Sequence, residues 1–231
     1  MNDQQLPSVT FEKLCGVISQ EVRSFSNIIE IVSNIPPESV FIAGGTVRDA
    51  FLQPERKIKD LDVFLTDVAF EQLEAYLMSE GTLQRNQFGT YRWFGRDDGD
   101  VYYDIIIIEN FYNGLWNCRN ITDVLNQFDI TVNAVAFDLS NGTFYDPENG
   151  LLDINAKILR AVRFDYPEIV VSESIPLSRN TVLWCRYHHY SKTLGLSLDE
   201  ITRQWMIQND YRKVEIPTFT QYFFEPEVDH V

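Results

Sequence analysis

Two aspartates one residue apart inside an apolar run are the most chemically loaded feature of this chain. The segment KDLDVFLT sets Asp60 and Asp62 among Leu61, Val63, Phe64 and Leu65. Its composition is that of a strand, where residues i and i+2 share a face. Both carboxylates then point the same way, and burying either without a partner costs several kcal/mol. A divalent cation is the natural compensator. A third carboxylate, Asp104, lies in VYYDIIII, a second strand-like run that sets Tyr102 and Ile106 on its own face. Three carboxylates on adjacent strands could hold two Mg2+ ions, which take oxygen ligands and keep positions open for phosphate. One ion would activate an attacking hydroxyl; the other would neutralise a triphosphate and its leaving pyrophosphate.

Upstream, Gly44-Gly45 follow the run SVFIA and precede TVRDAFL. A glycine turn that opens a helix lets a phosphate approach backbone N–H groups and the positive end of the helix dipole. It also serves as a plain strand-to-helix turn. Arg48, one helical turn on, can reach an anion, and Asp49 can anchor Arg48 or a loop. Arg56, Lys57 and Lys59 precede the first aspartate strand and suit either phosphate contact or a solvated loop. His188 and His189 are adjacent on a helical pattern, so they face different directions and do not form a ligand pair. Trp184, Tyr187 and Trp205, at helical spacing, read as core.

Several elements must position these groups. Residues 8–33 carry apolar residues at helical spacing and end at NIPP. Strand, glycine turn and helix follow, then the aspartate strand. Asp67 is the expected cap of the helix VAFEQLEAYLMSE, closed by Gly81. The stretch 82–110 reads as antiparallel strands around a DDG turn. A short helix near 121–127 leads to two strands joined across Ser140-Asn141-Gly142, and the pattern is helical from 177 onward.

Hydrophobic residues make up 45% of the 231-residue chain, enough for one substantial core. No apolar run approaches a membrane span, and the N-terminus lacks a secretory pattern. Three widely spaced cysteines argue against a disulfide framework or a zinc cluster and fit a reducing cytoplasm. The net charge of −15 disfavours a general nucleic-acid binder. It is uneven: residues 1–156 are net −14, 157–213 net +3 and 214–231 net −4. A polyanion would therefore be expected against the segment after residue 156.

Taken together, GGTVRDAFL…KDLDVFLT resembles the head-domain signature of class II CCA-adding tRNA nucleotidyltransferases and bacterial poly(A) polymerases, within the DNA polymerase β-like superfamily. DVLNQFDITVNAVAFD is similar to the family segment in which Arg-Arg-Asp precedes Phe-Thr-Ile-Asn-Ala. FYDPENGLLDINAKILRAV resembles the exit from the head. The resemblance implies an α+β nucleotidyltransferase head, a small mixed sheet backed by helices, followed by a short helical neck. The implied division is a helical segment at 1–37, the head at 38–163, a neck at 164–213 and an acidic, aromatic tail at 214–231. It also implies that Asp60 and Asp62 ligate the metals; Asp104 as third ligand rests more on its strand position than on a motif. Gly44, Gly45 and Arg48 would meet the triphosphate, with Asp129 and Asn133 near the nucleotide.

Departures from the family are equally specific. Gln127-Phe128 stand where the family has Arg-Arg. An alignment pinned by Arg186 and Leu194-Gly195 puts Arg179-Asn180 and Leu183 where the family reads the base with Glu-Asp-x-x-Arg. Asn180 keeps an amide for a base, but Leu183 cannot replace a guanidinium, so ordered C-C-A addition is not expected. The expected activity is transfer of NMP from an NTP to an acceptor hydroxyl, foremost an RNA (tRNA) 3′ end, with release of pyrophosphate. The alternatives are a protein or small-molecule acceptor, a toxin-like action on tRNA, or a non-catalytic binding protein that keeps the fold. Neither a DNA partner nor a membrane is expected, and the oligomeric state is left open.

Overall fold

A computed structural model describes residues 10–86 and 89–228. Residues 1–9 and 229–231, parts of the expected N-terminal segment and tail, lie outside the described residues, as do 87 and 88 of the antiparallel stretch. Helices α1 (Phe11–Glu21) and α2 (Phe25–Val32) come first. Thr10 opens α1 by accepting the Lys13 N–H. Then β1 (Val40–Ala43), α3 (Gly45–Leu52), β2 (Asp60–Leu65) and α4 (Asp67–Glu80) follow. Thr66, not Asp67, caps α4: its backbone is extended and its Oγ1 accepts the Ala69 N–H at 3.2 Å, which leaves Asp67 as the first helical residue.

The strands β3 (Gly81–Arg85), β4 (Tyr91–Gly95) and β5 (Tyr102–Ile107) form an antiparallel run. After α5 (Ile121–Leu125), Thr131–Asn133 form a 3-10 turn rather than part of a strand, and β6 (Ala136–Asp138) and β7 (Phe144–Tyr145) close the sheet. The order is β3-β4-β5-β2-β1-β6-β7. Within this sheet, among the described residues, only β2 and β5 pair in parallel, through a crossover that contains α4, β3 and β4.

Alternation along β2 and β5 sorts the sheet into two faces. Leu61, Val63, Leu65, Tyr103, Ile105 and Ile107 share a core with α1, α2 and α4. The N-terminal helices thus pack into the same core as the sheet. Phe64 and Ile106 face the other way, into a cluster with Ile121, Val124 and Leu125 of α5. Asp60, Asp62 and Asp104 fall on this second face, ahead of the part that α5 covers.

Beyond the sheet come α6 (Gly150–Ala156), β8 (Ile158–Leu159), the hairpin β9 (Val170–Ser172) and β10 (Ile175–Ser178), and α7 (Arg179–Thr193). Then β11 (Ser197–Leu198) pairs in parallel with β8, and α8 (Glu200–Gln208) and α9 (Ile216–Tyr222) follow. Trp184 and Tyr187 are fully buried in a third cluster, with Trp205 packed against it. All three cysteines are free. Among the described residues no helix is long and apolar enough to cross a membrane.

Candidate active site

The register of three strands brings the carboxylates together. Asp62 stands opposite Asp104 across β2–β5, Asp60 opposite Tyr102, and Ala43 opposite Asp62 across β1–β2. Three anions thus crowd one edge of the sheet face, where they open into a cleft of about 960 Å3, a size suited to a nucleotide. Burial, with Asp60 and Asp104 adding to it, pushes the Asp62 carboxyl up to about 7, against the opposing pull of Arg186 and the Gly45 N–H. Burial and Asp104 also raise Asp60. The group is electrostatically frustrated, as expected of a site whose partner is a cation.

The glycine turn sits directly on this cluster. Gly44 has φ +75°, and a Cβ on it would come within 2.5 Å of Asp62 Oδ2. Its missing side chain therefore makes room for the aspartate as well as for the turn. Gly45 is the residue that faces the cleft. A Cβ there would meet only Arg48, at 3.5 Å. Thr46 fastens α3 to β2 by donating to the Asp60 carbonyl at 2.7 Å.

A chain of buried polar contacts runs from α3 to α7. Arg48 donates through Nε to Asp49 (2.7 Å) and through NH1 to Asn133 Oδ1 (2.7 Å). Asn133 Nδ2 donates to Asp129 Oδ1 at 3.0 Å. Asp129 accepts Arg186 Nε at 2.8 Å and the Ile130 N–H at 2.8 Å. Burial alone would raise Asp129, but Arg186, Asn133 and Ile130 hold it below the usual carboxylate range. Tyr190 completes the wall, its ring 5.6 Å from the Arg48 guanidinium and 5.2 Å from that of Arg186.

Eight of the nine site residues expected from the sequence line one cleft: Gly44, Gly45, Arg48, Asp60, Asp62, Asp104, Asp129 and Asn133. Asn180 does not. Its amide donates to the Tyr166 carbonyl and to Glu168, which turns it into the core between α7 and the preceding loop. Arg179, one residue earlier, lines the cleft instead. Its Nε is buried with no hydrogen-bond partner, and burial lowers its pKa. The alignment with the family's base-reading motif put Arg179 at this place but assigned the base contact to its neighbour Asn180; Leu183, from the same alignment, also lines the cleft. Gln127 and Phe128 part ways: Gln127 donates to the Trp116 carbonyl in the core, while Phe128 lines the cleft beside Phe64 and Phe111. Arg56, Lys57 and Lys59 also line it, with Arg56 paired to Asp49.

Arg92 is a residue the sequence did not flag. It stands opposite Asp104 across β4–β5 and grips it with Nε–Oδ1 at 3.0 Å and NH2–Oδ2 at 3.3 Å. No group of three His, Cys, Asp or Glu among the described residues is arranged to hold a metal. Asp60 and Asp62 still offer what Mg2+ takes, namely one or two carboxylates with the remaining positions left to water and phosphate.

In the positive segment after residue 156 most cations have an acidic partner. Six of its nine basic side chains are ion-paired within the fold: Arg160, Arg163, Arg186, Arg203, Arg212 and Lys213. The sequence expectation counted charges and could not see their partners.

Residues 16–157 match the family model described as Gabija anti-defense 2 family protein. Among curated proteins, the chain is 26% identical over 172 residues to the multifunctional CCA protein of Shewanella frigidimarina. That alignment covers 68% of this chain and 36% of the relative. It is 33% identical over 129 residues to the CCA-adding enzyme of Streptococcus pyogenes, covering 53% of this chain and 30% of the enzyme. The chain thus spans about a third of the length of these relatives. In structure it is similar to a CCA-adding enzyme in complex with CTP (TM-score 0.66, 19% identity, 92% of this chain and 49% of the other). The Thermotoga maritima CCA-adding enzyme complexed with tRNA is equally similar (TM-score 0.66, 19% identity, 92% and 48%). At that identity the likeness shows the fold, a nucleotidyltransferase head with its neighbouring helices.

Proposed function

This chain belongs to the Gabija anti-defense 2 family, and we propose that it is a metal-dependent nucleotidyltransferase that moves NMP from an NTP to an acceptor hydroxyl. The observation that carries this reading is the convergence of three mutually repelling carboxylates under a cleft-facing glycine turn. Asp60 and Asp62 are proposed to hold Mg2+, with Asp104 as third ligand, in a head spanning 38–163 joined to a neck at 164–213. Bound there, the metal neutralises the triphosphate and makes an acceptor hydroxyl a better nucleophile. The side chains do the rest. The Gly45 backbone lets the triphosphate lie against the start of α3, where N–H groups and the helix dipole favour anions. Arg48, held by Asp49 and Asn133, keeps its NH2 toward that turn. Arg179 and Phe128 border the space left for the nucleoside.

In the reaction the acceptor oxygen bonds to the α-phosphorus, the bond to the α,β-bridging oxygen breaks, and pyrophosphate leaves. The hydroxyl proton passes to water. The acceptor proposed first is an RNA 3′ end, supported by the similarity to CCA-adding enzymes. A second reading, a protein hydroxyl, is favoured by the paired cations of residues 157–213 and by the cleft mouth. There Ile169 and Val170 of the hairpin are about half exposed and apolar. An anti-defense role is compatible with either acceptor, and a cytoplasmic site of action is part of the proposal. The test is to supply each labelled NTP with Mg2+, tRNA trimmed to its discriminator base, and bacterial lysate. Label in RNA supports the first reading and label in a protein band the second; no label in either overturns the transferase.

A further inference from the structure

The grip of Arg92 on Asp104 has a consequence for metal loading. Arg92 approaches the carboxylate with two N–H groups, at 3.0 and 3.3 Å, and so engages both oxygens of the proposed third ligand. Its guanidinium also lies over the Tyr102 ring, 3.9 Å from the centroid, and the Tyr102 hydroxyl donates to Asp60 Oδ2 at 3.4 Å. One clasp therefore reaches two of the three carboxylates.

Resting on the metal reading above, we propose that Arg92 is a built-in counterion that takes the metal's place at Asp104 and must release it before the three-carboxylate site is complete. Three observations support the exchange. Asp62 and Asp104 face each other in the parallel register, so without either cation two anions would lie side by side. Arg92 is placed on the neighbouring strand directly opposite Asp104, where cross-strand pairing alone selects it. Its side chain keeps 34% of its surface in solvent, against 19% for Asp104. It can therefore swing outward and remain hydrated, which frees Asp104 to turn toward Asp60 and Asp62. Arg92 is a positioning residue, acting only through Asp104.

The test is Mn2+ binding by calorimetry to the full chain without nucleotide, comparing wild type, Arg92→Gln and Asp62→Asn. A half-exposed ion pair of this kind is worth on the order of a few-fold to tenfold in an equilibrium constant. Arg92→Gln is accordingly expected to bind Mn2+ about three- to tenfold more tightly than wild type. Its melting temperature should be lower without metal and recover with Mn2+. Asp62→Asn should bind weakly. Unchanged or weaker Mn2+ binding by Arg92→Gln overturns the counterion role and makes Arg92 an orienting residue. If wild type and Arg92→Gln both bind nothing, the metal reading itself fails, and this proposal with it. Should Arg92→Gln not fold, Arg92→Lys keeps the charge without the two-pronged grip and is expected to shift affinity the same way by a smaller factor; no shift there overturns the proposal equally.

Discussion

Asp62 carries the largest electrostatic imbalance among the carboxylates of the site, and its titration makes that imbalance measurable. In the folded, metal-free chain its carboxyl sits near 7, against an ordinary value of 3.8. Between those values the folded state holds a proton that the unfolded state has lost. The stability this residue contributes is therefore full at low pH and is lost as pH rises through about 7. Thermal melts of metal-free protein should fall across that window, and Asp62→Asn should flatten the fall. Mg2+ needs the ionised form, so its affinity should climb over the same range. The two glycines separate structure from binding. Gly44→Ala meets both a positive φ and Asp62, and should destabilise the fold by about 1–2 kcal/mol. Gly45→Val has room in the fold and obstructs the cleft, so calorimetry should show NTP affinity at least about tenfold weaker with little change in melting. Asp60, Asp62 and the glycines were legible because strand alternation and a glycine turn are local patterns. Arg92 was not, because its partner is fixed by register across a hairpin that spacing alone does not determine.

At the scale of elements, the site depends on α3 and α7 being tied through Arg48, Asn133, Asp129 and Arg186. Asp129→Ala would leave the Arg186 guanidinium without its partner in the wall of the cleft, and breaking a buried pair in this way costs about 3–5 kcal/mol. Urea unfolding should show that loss, and Asp129→Asn a smaller one, since the amide still accepts one hydrogen bond. Helix α7 also brings Arg179 to the cleft. Arg179→Ala is expected to weaken NTP binding without lowering stability, because its Nε has no hydrogen bond to lose. The sequence located α7 and its buried aromatics from helical spacing. It misassigned one residue there: Arg179 and Leu183 line the cleft as aligned, but Asn180 is drawn inward by Glu168 and the Tyr166 carbonyl, partners supplied by an irregular segment. A helical pattern gives the period; the docking contacts set the phase.

For the whole molecule, the order of elements and the mixed sheet followed from the sequence because apolar runs, turns and helices alternate clearly. The surface electrostatics did not, because net charge per segment says nothing about pairing. With most cations of residues 157–213 engaged internally, any RNA bound should be held at its end rather than along its backbone. Its affinity should then depend weakly on salt, with a log–log slope smaller in magnitude than about 2. The central claim, that the aspartate pair drives NMP transfer, is tested most directly by one comparison. Purified wild type and Asp62→Asn, matched for folding by their melting curves, are incubated with Mg2+, each NTP and lysate, and pyrophosphate release is measured. Losing a ligand of the metal that would neutralise the developing negative charge should lower the rate by about 10²–10⁴-fold. Equal pyrophosphate release by Asp62→Asn, or none by wild type with any NTP, would contradict the account.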